Sequence, residues 1–293
     1  MLVHQFDRAI VPKRVVIMGS GGFVGAAVAA RLAQDGVPTL CLGRAEVDLL
    51  AGDAARRLAS LLRPEDSFVA VSARAPCKNA DMLVENMIIA RAMVAALARS
   101  PVAHVVNISS DAVYADSPVP LTESSCAQPS SLHGAMHLAR EVLFASEQKA
   151  PLAVLRPSLL YGAADPHNGY GPNRFRRQAA AGEPIVLFGE GEERRDHVYI
   201  DDVAEIVARV IFRRSTGVLN IATGAVHSFR TIAEKVVALS GKPVAIKSSP
   251  RSGPMPHGGY RPFDIACCRA AFPDFRYTLL DAGLALAQTA EKL

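Results

Sequence analysis

The chain has 293 residues, half of them hydrophobic and a fifth charged, with 32 basic against 28 acidic side chains. That is enough for a large buried core, arranged as one big domain or as one domain with a smaller companion. The arginines are scattered, which excludes a basic block tracking nucleic acid, while the mild positive excess suits an anionic small molecule.

Residues 1–12 carry Asp7 and Arg8 and no apolar run, unlike a signal peptide. Residues 14–18 predict a short strand and residues 23–34 a helix. Between and into them runs Gly19-Ser20-Gly21-Gly22-Phe23-Val24-Gly25. Gly19 allows a tight turn, Gly22 lets the backbone approach a pyrophosphate, and Gly25 lets the helix pack close to the strand. The helix N-terminus then offers free N–H groups and a positive dipole to phosphates. This context predicts a dinucleotide site, against the alternative of a ligand-free flexible turn.

Residues 39–42 predict the second strand. An acidic residue at its end would bond the ribose 2′-OH of NAD; this chain has Gly43-Arg44. Unless Arg44 is an ordinary surface arginine, it suits a 2′-phosphate, so NADP(H) is expected ahead of NAD(H). A helix over residues 51–62, a strand over 68–71, a long helix over 81–99 capped by Asp81 and a strand over 104–108 follow. Glu85, Asn86 and Arg91 interrupt the apolar stretch of the long helix, which reads as amphipathic and buried, not as a membrane span. The alternation predicts β-α-β units and a parallel sheet.

Pro and Gly become frequent after Tyr161. A helix over 201–213, with Asp201 and Asp202 in capping positions, a strand over 218–222, a helix over 229–240, a strand over 244–247 and a loop over 251–262 complete the reading. The expected fold is α/β: a Rossmann-type doubly wound parallel sheet from residues 1–165 and 197–224. A smaller α+β part, residues 166–196 and 225–293, faces it across a ligand cleft. Cys41, Cys77, Cys126, Cys267 and Cys268 are odd in number and lack metal-ligand spacing, which predicts a reducing, cytoplasmic setting without a disulfide framework or zinc.

Other segments carry more. Asn86 lies in the long helix. Val106-Asn107-Ile108-Ser109-Ser110-Asp111-Ala112-Val113-Tyr114 ends a strand. Leu155-Arg156-Pro157-Ser158-Leu159-Leu160-Tyr161-Gly162, Gly189-Glu190-Gly191, Arg195-Asp196-His197-Val198-Tyr199 and Arg261-Pro262-Phe263-Asp264 follow. With the glycine turn, these resemble the extended short-chain dehydrogenase/reductase family, and within it the sugar-nucleotide epimerases and dehydratases. The resemblance implies a nicotinamide dinucleotide, with Asn86 and Pro157 beside it, and a nucleotide-linked sugar or related polar substrate. It implies that Ser110 bonds the reacting oxygen, and that Asp111 supplies an acid as in some dehydratases. It also implies a diphosphate clamp of Arg195 and Arg261, a task that suits the planar guanidinium fork. Dimers are common in the family, through the counterparts of residues 81–99 and 133–149. The plainer alternatives are a polar turn at residues 109–111 and two surface arginines.

One departure stands out. The family's catalytic helix carries Tyr-x-x-x-Lys, and the matching positions here are His133 and His137. They lie one helical turn apart and face the same way. Three readings compete. His133 replaces the tyrosine as acid/base, imidazole titrating near neutral pH unaided. Alternatively the chemistry is lost and the protein binds NADP(H) as a sensor or assembly partner. Or the pair chelates a metal with Glu141, although no convincing third ligand is evident.

Overall fold

The computed structural model describes residues 2–289. Its first half alternates β1 (Val15–Met18), α1 (Phe23–Gln34), β2 (Thr39–Leu42), α2 (Ala54–Leu61), β3 (Ser67–Ala70), α3 (Ala80–Arg99), β4 (His104–Ile108), α4 (Leu132–Glu147) and β5 (Leu152–Pro157). These strands, with β9 (Gly217–Ile221), form one parallel six-stranded sheet ordered β2-β1-β3-β4-β5-β9. Each strand is short and nearly continuous in apolar residues, because both sheet faces are covered. Val15 and Ile17 point to one side, under Val28 and Leu32 of α1 and the apolar stripe of α6 (Ile200–Phe212). Val16 and Met18 point to the other, under α2, α3 and Phe144 of α4. This is the expected Rossmann-type fold. Connections reverse direction between β1 and β3, and a crevice opens there, at the carboxyl ends of the strands.

Two expectations shift at the helix ends. The long helix is capped by Asn79, whose side chain accepts from the Met82 N–H, so Asp81 falls in the first turn. Asp202 does not cap α6; its carboxylate holds the Thr278 N–H and hydroxyl, each at 2.8 Å.

The second half is more ordered than its Pro and Gly content suggests. It contains β6 (Leu159–Tyr161), α5 (Pro172–Ala181), β7 (Ile185–Phe188), β8 (Arg194–Tyr199), β10 (Val226–Ser228), α7 (Phe229–Ser240), β11 (Ile246–Ser249), β12 (Tyr260–Arg261), α8 (Ala266–Ala271) and α9 (Leu280–Thr289). β8 pairs with β6, β10 and β12, and β7 with β11. An aromatic and aliphatic cluster of Tyr161, Phe175, Tyr199, Phe229 and Leu284 holds these pieces together. Among the described residues no helix is long and apolar enough to cross a membrane.

Candidate active site

A cleft of about 760 Å³ runs from the glycine turn, across the ends of β3, β4 and β5, to β8 and His257. At one end lie Gly19, Gly22, Phe23 and Val24. Gly19 has φ 101°, and a Cβ there would meet the Ser72 backbone nitrogen at 2.7 Å. A Cβ on Gly25 would overlap the Gly19 carbonyl oxygen, so the start of α1 sits against the turn. The Gly19 and Ser20 N–H groups both bond the Leu42 carbonyl, which locks the turn to the end of β2. Gly21 and Gly22 have no Cβ to crowd the open side above them. The result is a cradle of bare backbone over a helix N-terminus, which fits the diphosphate of a dinucleotide.

The cleft extends past this cradle along Arg44, as expected, and along Val47–Leu50, a lining the sequence reading missed. Arg44 is largely exposed, and its Nε donates to Asp48 at 3.4 Å. Asp48, four residues after Arg44, was the available signal. The wall opposite is the loop of residues 71–76, which Asn86 braces from behind. Its side chain accepts the Arg74 N–H at 2.8 Å and donates to the Arg74 carbonyl at 3.0 Å. Asn86 therefore shapes the cleft without lining it. Arg140, wholly buried, donates to the Ala70 and Ser72 carbonyls and to Asn107, with no carboxylate partner among the described residues. Burial brings its guanidinium down to about 10.

At the middle of the cleft, Ser110 follows β4 and caps a short 3-10 turn, Asp111–Val113. Gly134 lets α4 rest on that turn, since a Cβ there would overlap the Ala112 carbonyl oxygen. This contact sets His133 and His137 beside Ser110, and all three line the cleft with Pro157. The two imidazole rings meet edge to face, with centroids 4.7 Å apart. The Cys77 N–H donates to His133 Nδ1 at 3.4 Å. That donor assigns the proton of neutral His133 to Nε2. Burial lowers His133 below the usual histidine range, with Asp111 opposing and His167 adding to the drop. Burial, with the charges of His133 and Arg140, holds His137 well below it. Its Nδ1 has no hydrogen-bond partner among the described residues. Ser110 Oγ accepts from the Ala112 N–H at 3.1 Å but donates to Asp111 only at 3.4 Å, a stretched bond that leaves its proton easy to redirect. Glu141 is not with the histidines; it binds Ser109 and, through both carboxylate oxygens, Arg156.

At the far end the two arginines part company. Arg195 lines the cleft on β8, and also bonds Glu193 at 3.2 Å. Arg261 departs from the expected clamp. It is 2% exposed, and donates to the Asp111 carboxylate at 3.0 Å, to the Asp111 carbonyl at 2.6 Å and to Asp116 at 3.1 Å. A guanidinium buried beside a carboxylate stays there, because exposing either would strand the other charge. Arg261 and Asp111 are thus a brace between β12 and the turn after β4. His167, His197 and His257 also line the cleft, and sequence reasoning did not mark them. Burial takes His197 to about 3. The neighbouring Asp196 is fixed by Ser158, Thr223 and Gly224, and burial raises its carboxyl against those donors. That anchorage holds β8, and so Arg195, in place.

Residues 15–222 match the sequence profile of the NAD dependent epimerase/dehydratase family. The chain is 28% identical over 285 residues to the dTDP-6-deoxy-L-talose 4-dehydrogenase (NAD(P)(+)) of Kitasatospora kifunensis, covering 88% of this chain and 89% of that one. Among solved structures it resembles the UDP-glucose 4-epimerase of Thermus thermophilus in complex with NAD, with TM-score 0.80, 21% identity, and 95% and 99% of the two chains covered. It also resembles a GDP-L-fucose synthetase from Naegleria fowleri bound to NADP, with TM-score 0.82, 17% identity, and 97% and 94% covered. At these identities the two structures speak for the fold.

Proposed function

Because the chain belongs to the NAD dependent epimerase/dehydratase family, we propose that it is a nicotinamide-dependent oxidoreductase acting on a nucleotide-linked sugar or a related polar substrate. One observation carries this reading. A single continuous cleft joins the glycine cradle to Ser110, His133 and His137 and then to Arg195. Residues 1–165 and 197–224 form the dinucleotide-binding part in this reading, and residues 166–196 and 225–293 the substrate-binding part.

Gly19 to Gly25 hold the diphosphate of the dinucleotide, and His137 and Pro157 flank its nicotinamide end. Arg44 favours a 2′-phosphate, whereas the Asp48 carboxylate paired with it opposes one. When bound, the nicotinamide ring supplies hydride transfer with a substrate carbon. The chain supplies the rest. Ser110 turns its proton from Asp111 toward the substrate oxygen. His133 presents Nε2–H to the same oxygen, directly or through one water, and stabilises negative charge as it develops there, while solvent water exchanges the proton that the oxygen gains on reduction or loses on oxidation. Asp111 stays bound to Arg261 and fixes the turn that carries Ser110. Arg195 is the cation left facing a substrate phosphate.

His133→Ala is expected to lower turnover by roughly 100-fold or more, the usual range for a positioned proton donor. Turnover equal to wild type with a nucleotide-sugar substrate would remove His133 from the mechanism. The lowered position of His133 adds a pH dependence. The neutral ring is the form that accepts the Cys77 N–H, and protonation on Nδ1 breaks that bond but keeps Nε2–H, so turnover is expected to show no acid limb from His133 at or above pH 6.5 and a change only below it. The missing Tyr-Lys pair supports a second reading, a dinucleotide-binding sensor without turnover. It gains if dinucleotide binds while every nucleotide-sugar tested is left unchanged.

Val84, Leu132 and Val142 are 58%, 41% and 60% exposed on the outer side of the α3–α4 pair. They support a homodimer through these helices. Sedimentation is expected to show a dimer that Val142→Asp dissociates.

A further inference from the structure

One full positive charge is buried behind the cleft wall, on Arg140. This residue follows His137 by three positions on α4, and so shares its side of the helix. The buried guanidinium donates to the Ala70 and Ser72 carbonyls, each at 2.6 Å, and to Asn107 Oδ1 at 2.7 Å. Ser72 and His137 both line the cleft, so the cation stands directly behind that lining. The carboxylates on adjoining elements are taken: Glu141 holds Arg156, Asp111 holds Arg261 and Glu85 holds Arg74. Among the described residues none pairs with Arg140. At about 10 the guanidinium remains charged at neutral pH. Three neutral oxygens solvate that charge without cancelling it, and the dry interior screens it weakly. After burial and the charge of His133, Arg140 is the next influence keeping His137 neutral, so its field reaches the cleft.

From this placement, and resting on the dinucleotide reading above, we infer that Arg140 sets the redox preference of the site and favours the reduced dinucleotide. The oxidised nicotinamide ring is a cation and the reduced ring is neutral. A fixed cation behind His137 therefore raises the free energy of the oxidised complex and leaves the reduced one almost untouched. When a substrate carbon gives its hydride to the ring, its hydroxyl proton passes to solvent water and the ring loses its charge. The repulsion from Arg140 ends at that step, which favours oxidation of the substrate by the same amount.

Asn107 offers a way to cancel the charge and keep the bonds. It is fully buried, and its Nδ2 has no partner among the described residues. Asn107→Asp replaces that orphan N–H with a carboxylate oxygen, keeps the acceptor for Arg140 Nε and supplies a counter-charge. The test compares dissociation constants of the oxidised and reduced dinucleotide, in whichever of the NAD and NADP pairs binds more tightly. The reduced form is titrated by its fluorescence and the oxidised form by displacement. Wild type is expected to bind the reduced form more tightly. Asn107→Asp and Arg140→Met are each expected to lower that preference by about tenfold, the scale of one charge acting through the cleft wall. Arg140→Lys keeps the charge, loses part of the bonding, and is expected to retain the preference. A structural brace alone predicts the opposite pattern: both Arg140 variants weaken the two forms alike, and Asn107→Asp changes neither. Should Arg140→Met fail to fold, Asn107→Asp decides. A preference unmoved when the charge is cancelled, or wild type binding the oxidised form as tightly as the reduced, overturns the inference and leaves the dinucleotide site standing. Binding of neither form overturns both.

Discussion

His197 sits on β8 with its ring meeting Phe229 edge to face at 5.6 Å. It behaves as an aromatic core residue that carries a titratable nitrogen. Nδ1 reaches the Arg195 carbonyl, and Nε2 has no partner among the described residues. Burial lowers it from 6.5 to about 3, with Arg195 adding to the drop. A histidine lowered on folding binds its proton more readily in the unfolded chain. Its neutral form supports the fold above pH 6.5, and stability falls as pH drops from there toward about 3. By pH 5 this one residue costs about 2 kcal/mol. His197→Phe is therefore expected to narrow the fall in melting temperature between pH 7 and pH 5, and an unchanged fall would show that the buried ring is not what acid attacks. The same burial separates the site histidines from their sequence reading. The spacing of His133 and His137 placed both on one helix face. It said nothing of the Cys77 N–H, 56 positions away, which assigns the His133 proton.

Helix α4 is useful to the site only because its first turn rests on the turn after β4. Gly134 makes that approach possible, as a Cβ would run into the Ala112 carbonyl oxygen and lie 2.7 Å from Pro129 Cβ. Gly134→Ala is expected to cost about 1–3 kcal/mol through overpacking. It should also lower turnover more than it lowers dinucleotide binding, since the helix moves away from Ser110 while the glycine cradle stays. A urea melt together with dinucleotide titration checks both parts; normal stability would mean that α4 is not held by this contact. Legibility among the elements followed periodicity and length. Helix α1, strands β2 and β4 and helix α7 were each readable to the residue, because an amphipathic run of that length has one arrangement that buries its apolar side. The elements β6, β7, β8 and β10 were not, being three to six residues long and set among prolines and glycines. β2 and β4 are as short but sit in the β-α-β alternation, whereas strands outside it are made by their partners rather than by their own pattern.

Taken whole, the molecule is two sets of elements that meet along one cleft, and ligands entering it are expected to stabilise both. Dinucleotide should raise the melting temperature by itself, and a nucleoside diphosphate such as UDP or dTDP should raise it further. A ligand at about 100 times its dissociation constant contributes about 2.7 kcal/mol. No further rise with any nucleoside diphosphate would count against the nucleotide-sugar reading while leaving the dinucleotide site intact. The sequence by itself determined the strand-helix alternation behind the parallel sheet and the glycine cradle, because each is read from residues close together in the chain. Tertiary structure decided what Arg261, Asn86 and Glu46 do. Arg261 lies 150 positions from Asp111, and only the folded chain brings the two charges together in a space too dry to leave either alone. Asn86 braces the loop of residues 71–76 through Arg74, and the Glu46 carboxylate reaches the end of β2 only because the turn folds back on it. Local spacing declares which atoms are available; burial and long-range contact decide which of them already have a partner.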